Sequence, residues 1–314
     1  MTSDTDTDIV EVSEEAEVEP DHVEKKKLGF GFWVSIGWLV LLVLVAILAP
    51  VLPFKDPDQN FIQFETSENA ITGRLTESPI QPPYSPSSEH LLGTDRDARD
   101  VLSRTVDGAR VSLVVGFAAV AFGFVVGGTL GMIAGFVRGW FDSIVSFVFL
   151  VLLSFPGLVL AILITSLVDR SLFTISLTLG ILSIAPVGRL ARAQTLVFAE
   201  REFVMAATTI GAKRSRILLR ELLPNVLIPM GALALLGMAV AIVAEGGLAF
   251  LGLSVEKGNT WGKLIRTYTS TIADLEDAPW MAFTPIGFLF LTVVALNYAG
   301  DKLRDYFDVR ELTL

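Results

Sequence analysis

The sequence predicts an all-α integral membrane protein that crosses the bilayer with six transmembrane helices. The 314-residue chain is 52% hydrophobic and only 18% charged, and its mean hydropathy is +0.60. Several runs of about twenty or more residues contain no acid or base, which is enough to cross a hydrocarbon core of about 30 Å. Charged stretches separate these runs, as expected of a polytopic helical membrane protein.

The composition also excludes several kinds of site. The chain has no cysteine, which excludes a disulfide framework, a thiolate nucleophile and a cysteine-ligated metal. Its two histidines, His22 and His90, leave little for a histidine metal site or for Ser–His chemistry. No catalytic, cofactor-binding or metal-binding residue is therefore predicted.

Residues 1–27 are predicted to form an acidic, disordered cytoplasmic tail. Ten of the 34 acids lie within residues 1–24, where there is no base, so the rest of the chain has 24 acids and 24 bases. This segment has no aromatic residue and cannot bury enough apolar surface to fold alone. The acidic excess would also suit a salty cytoplasm, an interpretation that the sequence leaves open.

The first transmembrane helix is predicted at residues 28–52, an uncharged run directly after Lys25, Lys26 and Lys27. These lysines should hold the N-terminus in the cytoplasm. Residues 53–110 follow as an external loop with six prolines and mixed charges. The loop is predicted to end in a helix that begins near Thr94 and Asp95, either of which can cap it.

Residues 111–300 are predicted to form a five-helix core, followed by a cytoplasmic C-terminal tail at 301–314. Gly123, Gly127, Gly131 and Gly135 recur every four residues and give the second span a smooth face for close helix packing. Pro156 should kink the third span. The five core spans are predicted at 111–137, 140–168, 171–188 with an extension to 198 left open, 226–250 and 280–300.

The loop between the fourth and fifth spans, residues 200–224, lies in the most basic connection of the chain. The positive-inside rule therefore places it in the cytoplasm. Its apolar residues recur at near-helical spacing, Gly211 can end a first short helix, and Pro224 should end a second. Two amphipathic helices at the membrane surface could bind a soluble partner, or their apolar face could pack beneath the bundle. The residues alone leave both interpretations open.

The chain contains no recognisable energy source of its own. A Gly-x4-Gly-Lys-Ser/Thr phosphate-binding loop is absent, because Lys257 occupies the first glycine position before Gly262 and Lys263. The spans are nearly free of ionisable groups, with Glu245 as the clear exception. An ion-coupled secondary transporter or a channel acting without ATPase partners remains the alternative, although it should show paired intramembrane charges.

At the 200–224 loop the sequence resembles the permease subunits of ATP-binding-cassette (ABC) importers, specifically the second-permease type of the dipeptide/oligopeptide/nickel branch. The family signature is Glu-Ala-Ala, three residues, Gly and, further on, Leu-Pro. Met205-Ala206-Ala207 with Gly211, followed by Leu222-Leu223-Pro224, falls on this signature, with Met205 replacing the glutamate. Further blocks resemble the same branch in its order: 90–100, 154–157, 245–253, 261–262 and 300–305.

The resemblance implies the ABC type I importer permease fold and a permease subunit that forms half of a translocation path. The cargo would be peptides or similar small solutes delivered by an external solute-binding protein. The other partners would be a second homologous permease, two ATPase subunits that bind ATP and Mg²⁺, and the lipid bilayer, with no nucleic acid. The chain itself would hold no cofactor and catalyse nothing, as a multi-pass cell-membrane protein with both termini in the cytoplasm.

The resemblance also implies which residues form the ATPase-coupling loop. These are Glu202, Phe203, Met205, Ala206, Ala207, Gly211, Ile217, Leu222, Leu223 and Pro224.

Overall fold

The computed structural model describes residues 28–68 and 75–311, with the backbone alone for 66–68, 75–78 and 308–311. The predicted acidic tail at 1–27 and residues 312–314 lie outside this range. The described part is a helical bundle with a two-stranded sheet at one end.

Five helices of the described part are long and apolar enough to cross a membrane. With helices numbered in chain order, they are α1 (Gly29–Leu48), α2 (Val101–Val137), α5 (Leu172–Ala199), α7 (Arg214–Phe250) and α10 (Pro279–Glu311).

The third predicted span is broken where the sequence predicts it. The chain forms two helices, α3 (Gly139–Ser154) and α4 (Gly157–Leu167), bent by 86° around Pro156. A proline cannot continue the backbone ladder of the preceding helix, so the chain changes direction there. If this pair is one span, the six predicted crossings are all present.

Shorter elements occupy the ends of the bundle. α6 (Glu202–Thr209) lies in the 200–224 loop, while α8 (Trp261–Tyr268) and α9 (Ile272–Asp277) connect α7 to α10. In the 53–110 loop, β1 (Phe64–Glu68) pairs antiparallel with β2 (Leu75–Pro79). This hairpin is not part of the predicted all-helical architecture, because its polar strands lack a clear alternation of apolar residues. We call the end of the bundle that carries this hairpin the hairpin end, and the end that carries the 200–224 loop the loop end.

α2 begins later than predicted. Its N-cap is Asp100, whose carboxylate accepts a hydrogen bond from the backbone N–H of Ser103 (2.8 Å). Thr94 and Asp95 lie in the preceding turn, where Asp95 accepts a bond from the backbone N–H of Arg99 (2.9 Å). From its cap α2 then runs without a break into the second span, so the two predicted helices are one.

α10 continues past residue 300, the predicted end of the sixth span, to Glu311, so most of the predicted C-terminal tail is a helical extension of that span. No glycine or proline follows Gly300 to end the helix. Lys302 and Asp305, one turn apart, approach to 3.7 Å and favour the helical conformation.

The glycines of α2 pack against α5, as the sequence predicts. A Cβ atom at Gly127 would lie 2.2 Å from the carbonyl oxygen of Ile184, and one at Gly131 would lie 2.0 Å from that of Gly188. Gly123 and Gly135 meet the same helix at 2.6 and 2.8 Å. These distances leave no room for a side chain, so the two helices touch through their backbones.

Candidate functional site

The candidate coupling loop begins with α6, which ends in a glycine-dependent cap. The Gly211 N–H donates to the carbonyl of Thr208 and the Ala212 N–H donates to that of Ala207, both at 3.0 Å. These are the two bonds of a Schellman motif. Gly211 has a φ of 78°, a left-handed conformation in which a side chain would be strained. The prediction that Gly211 ends a short helix is confirmed.

The prediction that Pro224 ends the second helix is wrong. α7 starts at Arg214 and continues through Pro224 to Phe250, so the second loop helix and the fifth span are one. A proline removes one backbone donor and crowds the carbonyl four residues earlier, here that of Arg220. Residues Ile217–Leu222 form a π-helical segment, and its wider turn accommodates the proline without a break.

Three of the predicted coupling residues face the bundle. Ala207, Ile217 and Leu222 are buried in a hydrophobic cluster with Phe198 of α5 and Val226 of α7. This cluster fixes the loop against the spans. Of the two interpretations that the sequence left open, partner binding and packing beneath the bundle, the second therefore applies to this face.

The opposite face of the loop is exposed and partly apolar. Phe203 is 37% exposed and Met205 is 55% exposed, and Ile210 (82%) and Leu219 (57%) are exposed as well. We call these four residues the loop surface. Ile210 and Leu219 are not among the predicted site residues, because helical spacing alone does not show which apolar residues the bundle leaves uncovered. Of the other predicted residues, Leu223 is half-buried and these are exposed: Glu202, Ala206, Gly211 and Pro224.

A basic groove adjoins the loop surface. Its cavity of about 480 Å³ is lined by Lys213, Arg216 and Arg220 together with Gly211 and Leu219. A soluble partner at this end of the bundle would meet apolar side chains beside three cations. Arrangements of this kind favour a protein partner with an apolar pocket and an acidic rim.

Ion pairs brace the loop end of the bundle. Arg192 of α5 binds both carboxylate oxygens of Asp142 in α3, with its Nη2 at 2.7 Å from Oδ2. Arg138 donates to Glu200 at 2.8 Å, which ties the α2–α3 turn to the start of the loop. These pairs connect the broken third span to α5 and to the loop.

The 90–100 block builds a buried polar network at the hairpin end. Nδ1 of His90 lies 2.9 Å from Oδ1 of Asp100, and Arg104 donates to Asn259 at 2.8 Å. Tyr268 donates to Asp95 at 3.4 Å. Burial, with the adjacent carboxylate, raises the pKa of the Tyr268 phenol, which therefore stays protonated as a donor. These contacts give the block a structural role at this end of the bundle.

The hydrogen bond that Glu245 accepts favours a structural role for its carboxylate. Glu245 lies in α7 and is almost fully buried, and Oε1 accepts a hydrogen bond from the Ser254 hydroxyl at 2.7 Å. The Ser254 hydroxyl also lies 3.2 Å from that of Thr260, the N-cap of α8. Glu245 thus connects the end of α7 to the start of α8.

The fold is that of an ABC importer permease. A solved structure of the inward-facing MetNI methionine ABC transporter aligns with a TM-score of 0.54, covering 67% of this chain and 96% of that chain at 19% identity. A second crystal form of the same transporter aligns with a TM-score of 0.53. At this identity the likeness establishes the architecture alone.

Sequence comparison establishes the family. Residues 127–311 match the model of the binding-protein-dependent transport system inner membrane component, and the chain belongs to this family. A dipeptide transport system permease protein of Alkalihalophilus pseudofirmus is 36% identical over 91% of this chain and 87% of its own length. An oligopeptide transport system permease protein of Haemophilus influenzae is 32% identical over 92% and 88%. A glutathione transport system permease protein of Pectobacterium atrosepticum is 33% identical over 88% and 86%.

These findings confirm the predicted family, fold and function as a transport permease of the membrane. The family is defined as one component of a binding-protein-dependent system. The alternative of a carrier or channel acting without partners is therefore not retained. The individual coupling residues remain predictions, as do the sides on which the termini lie.

Proposed function

We propose that this chain forms half of the translocation path of an ATP-driven importer for peptides. The observation that supports this cargo most directly is the similarity to three permeases named for dipeptide, oligopeptide and glutathione transport, each over 86% or more of both chains. A second homologous permease completes the path, and an external solute-binding protein delivers the peptide.

Two ATPase subunits bind ATP and Mg²⁺ and hydrolyse the nucleotide, while this chain remains non-catalytic. They contact the loop surface and the exposed residues Glu202 and Ala206. The buried cluster around Ile217 supports this role, because a loop fixed to two spans passes the movement of a bound partner into the bundle. The 200–224 loop and both termini then lie in the cytoplasm, in agreement with the basic residues of this loop.

Met205 changes one expected contact with the ATPase. The side chain is 55% exposed and stands at the position where the family signature has glutamate. An apolar side chain cannot form an ion pair there, so the ATPase is expected to present an apolar pocket to it. The exposed Ile210 on the same surface makes a further apolar contact of this kind.

Neighbouring alanines give a matched test of this docking. Ala206 is exposed and Ala207 is buried. In the complete transporter reconstituted in proteoliposomes, Ala206→Asp should leave the melting temperature unchanged but reduce peptide-stimulated ATP hydrolysis about tenfold or more, because a desolvated charge at the contact is unfavourable. Ala207→Asp should lower the melting temperature as well, because it places a charge in the hydrophobic cluster.

The wild-type transporter and Ala206→Ser, a small uncharged change, are the controls. Normal stimulation of ATP hydrolysis with Ala206→Asp would show that the ATPase does not contact this face. Failure of the wild-type transporter to take up any peptide would contradict the proposed cargo.

A further inference from the structure

One exposed arginine of α5, Arg189, directly follows the predicted end of the fourth span at residue 188, within a helix that is long and apolar enough to cross a membrane. Arg189 is exposed and, within the described residues, forms no hydrogen bond or ion pair. It lies about 15 Å along the helix from its end at Ala199, at a rise of about 1.5 Å per residue. Charged side chains at such positions face a water-filled cavity or the interior of an assembly, because exposure to lipid is costly.

A cavity of about 420 Å³ lies beside this arginine. It is lined by Ser146 and Leu150 of α3 and by Arg189, Arg192 and Ala193 of α5. The charge of Arg192 is balanced by its bidentate pair with Asp142. Arg189 therefore supplies the unbalanced positive charge of this cavity.

The exposed face of α1 differs in composition from the exposed face of α5 that carries Arg189. α1 exposes only apolar residues along its middle, among them Val40, Leu41 and Leu44. Such a surface suits lipid. The exposed face of α5 instead combines Arg189 with the small Ala193, beside the Ser146 hydroxyl. This face suits water and a second permease subunit, which together would enclose the cavity as part of the path.

We propose that Arg189 binds the C-terminal carboxylate of the peptide in transit. This inference rests on the proposed function, because it takes the peptide as the cargo. The carboxylate is common to all linear peptides, so its recognition does not depend on side chains. The planar guanidinium of arginine matches both carboxylate oxygens. A single contact in a wet cavity also permits release, as a path requires.

The test compares a free peptide with its C-terminal amide. Uptake of trialanine and of trialanine amide is measured in proteoliposomes containing the complete transporter and its solute-binding protein. Arg189→Gln should reduce uptake of the free acid about tenfold relative to the amide, which corresponds to the loss of about 1.4 kcal/mol. Arg189→Lys should retain most of the preference, because it keeps the charge. Any preference of the solute-binding protein for the free acid or the amide is the same for all permease variants, so it cancels when the variants are compared.

Arg110→Gln is the matched control, because Arg110 is an exposed arginine of α2 toward the hairpin end. For this variant, the ratio of free-acid uptake to amide uptake should equal that of the wild type. An equal loss for both peptides with Arg189→Gln, or no loss, would overturn the proposal. If Arg189→Gln reduces uptake of both peptides equally, and only in vesicles that contain phosphatidylglycerol, Arg189 binds lipid headgroups. That result would also overturn the proposal. If the wild type takes up neither peptide, the proposed function fails instead.

Cysteine labelling keeps the proposal testable if Arg189→Gln does not assemble. The chain has no native cysteine, so Ala193→Cys and Val40→Cys introduce single thiols, one in the cavity and one on α1. A charged methanethiosulfonate reagent should label the cysteine at 193 at least about tenfold faster, since thiolates form in water. Free trialanine should slow that labelling more than its amide does. Equally slow labelling of both cysteines, or equal protection by both peptides, would overturn the proposal.

Discussion

Gly131 and Gly188 allow α2 and α5 to meet without side chains between them. A Cβ atom at Gly131 would lie 2.0 Å from a backbone oxygen that cannot move independently of its helix. Lipid gives little hydrophobic reward for helix association, so close backbone contact supplies much of the attraction. Single glycines therefore have large effects on this fold.

Gly131→Ala should destabilise the protein by about 1–3 kcal/mol, because an added methyl group forces the two helices apart. Gly231→Ala is the matched control, since no atom lies within 4 Å of a Cβ at that helical position. It should be neutral or stabilising by up to about 1 kcal/mol, through helix propensity. Melting of the purified protein in detergent measures both. Equal melting temperatures for the two variants would contradict the close packing of Gly131 against the backbone of α5.

Asp100 combines two structural roles at the hairpin end. One carboxylate oxygen caps α2 at the Ser103 N–H and the other lies 2.9 Å from Nδ1 of His90. Asp100→Ala should therefore cost about 2 kcal/mol or more, from the lost cap and the unpaired buried histidine. The exposed Asp97→Ala serves as its control and should change stability by less than about 0.5 kcal/mol. A similar loss from both variants in a denaturation series would contradict the roles assigned to Asp100.

The elements show which features could be predicted from the sequence. The break at Pro156 and the helix end at Gly211 were predictable, because each depends on the backbone chemistry of one residue. The start of α2 was not, because Thr94, Asp95 and Asp100 are all good caps and tertiary contacts with His90 select among them. Pro224 was misassigned because a π-helical segment accommodates it, a feature without a sequence signal.

The 200–224 loop shows the same limit at the candidate site. Its position and its glycine were predicted, but the division into a buried face with Ile217 and an exposed face with Met205 was not. That division depends on which residues of α5 and α7 lie against the loop. Spacing within one segment contains no information about a neighbouring helix.

The Schellman cap of α6 gives a test at the scale of this element. Gly211→Val should strain the loop by about 1–2 kcal/mol, because a β-branched residue disfavours the left-handed conformation. Gly211→Asn should be much better tolerated, since asparagine adopts that conformation more readily. Limited trypsin digestion at Lys213 and Arg214 reports on the loop. Faster cleavage is expected of the valine variant and near wild-type cleavage of the asparagine variant. Equal rates would show that the conformation of Gly211 does not hold the loop.

At the scale of the whole molecule, the proposed function makes this bundle one half of a translocation path. The cationic cavity at Arg189 opens on the surface of the isolated chain. This open cavity agrees with the proposal that a second permease closes the path.

This chain is proposed to act within an ATP-driven assembly. Gentle purification of the tagged chain from its own cells, followed by quantitative mass spectrometry of the bound proteins, tests it most directly. We expect one second permease and two ATPase subunits for each copy of this chain, with the ATPases lost from the Ala206→Asp variant. Recovery of the chain alone, reproducibly and in a folded state, would contradict the claim and the assignment of the 200–224 loop as a docking site.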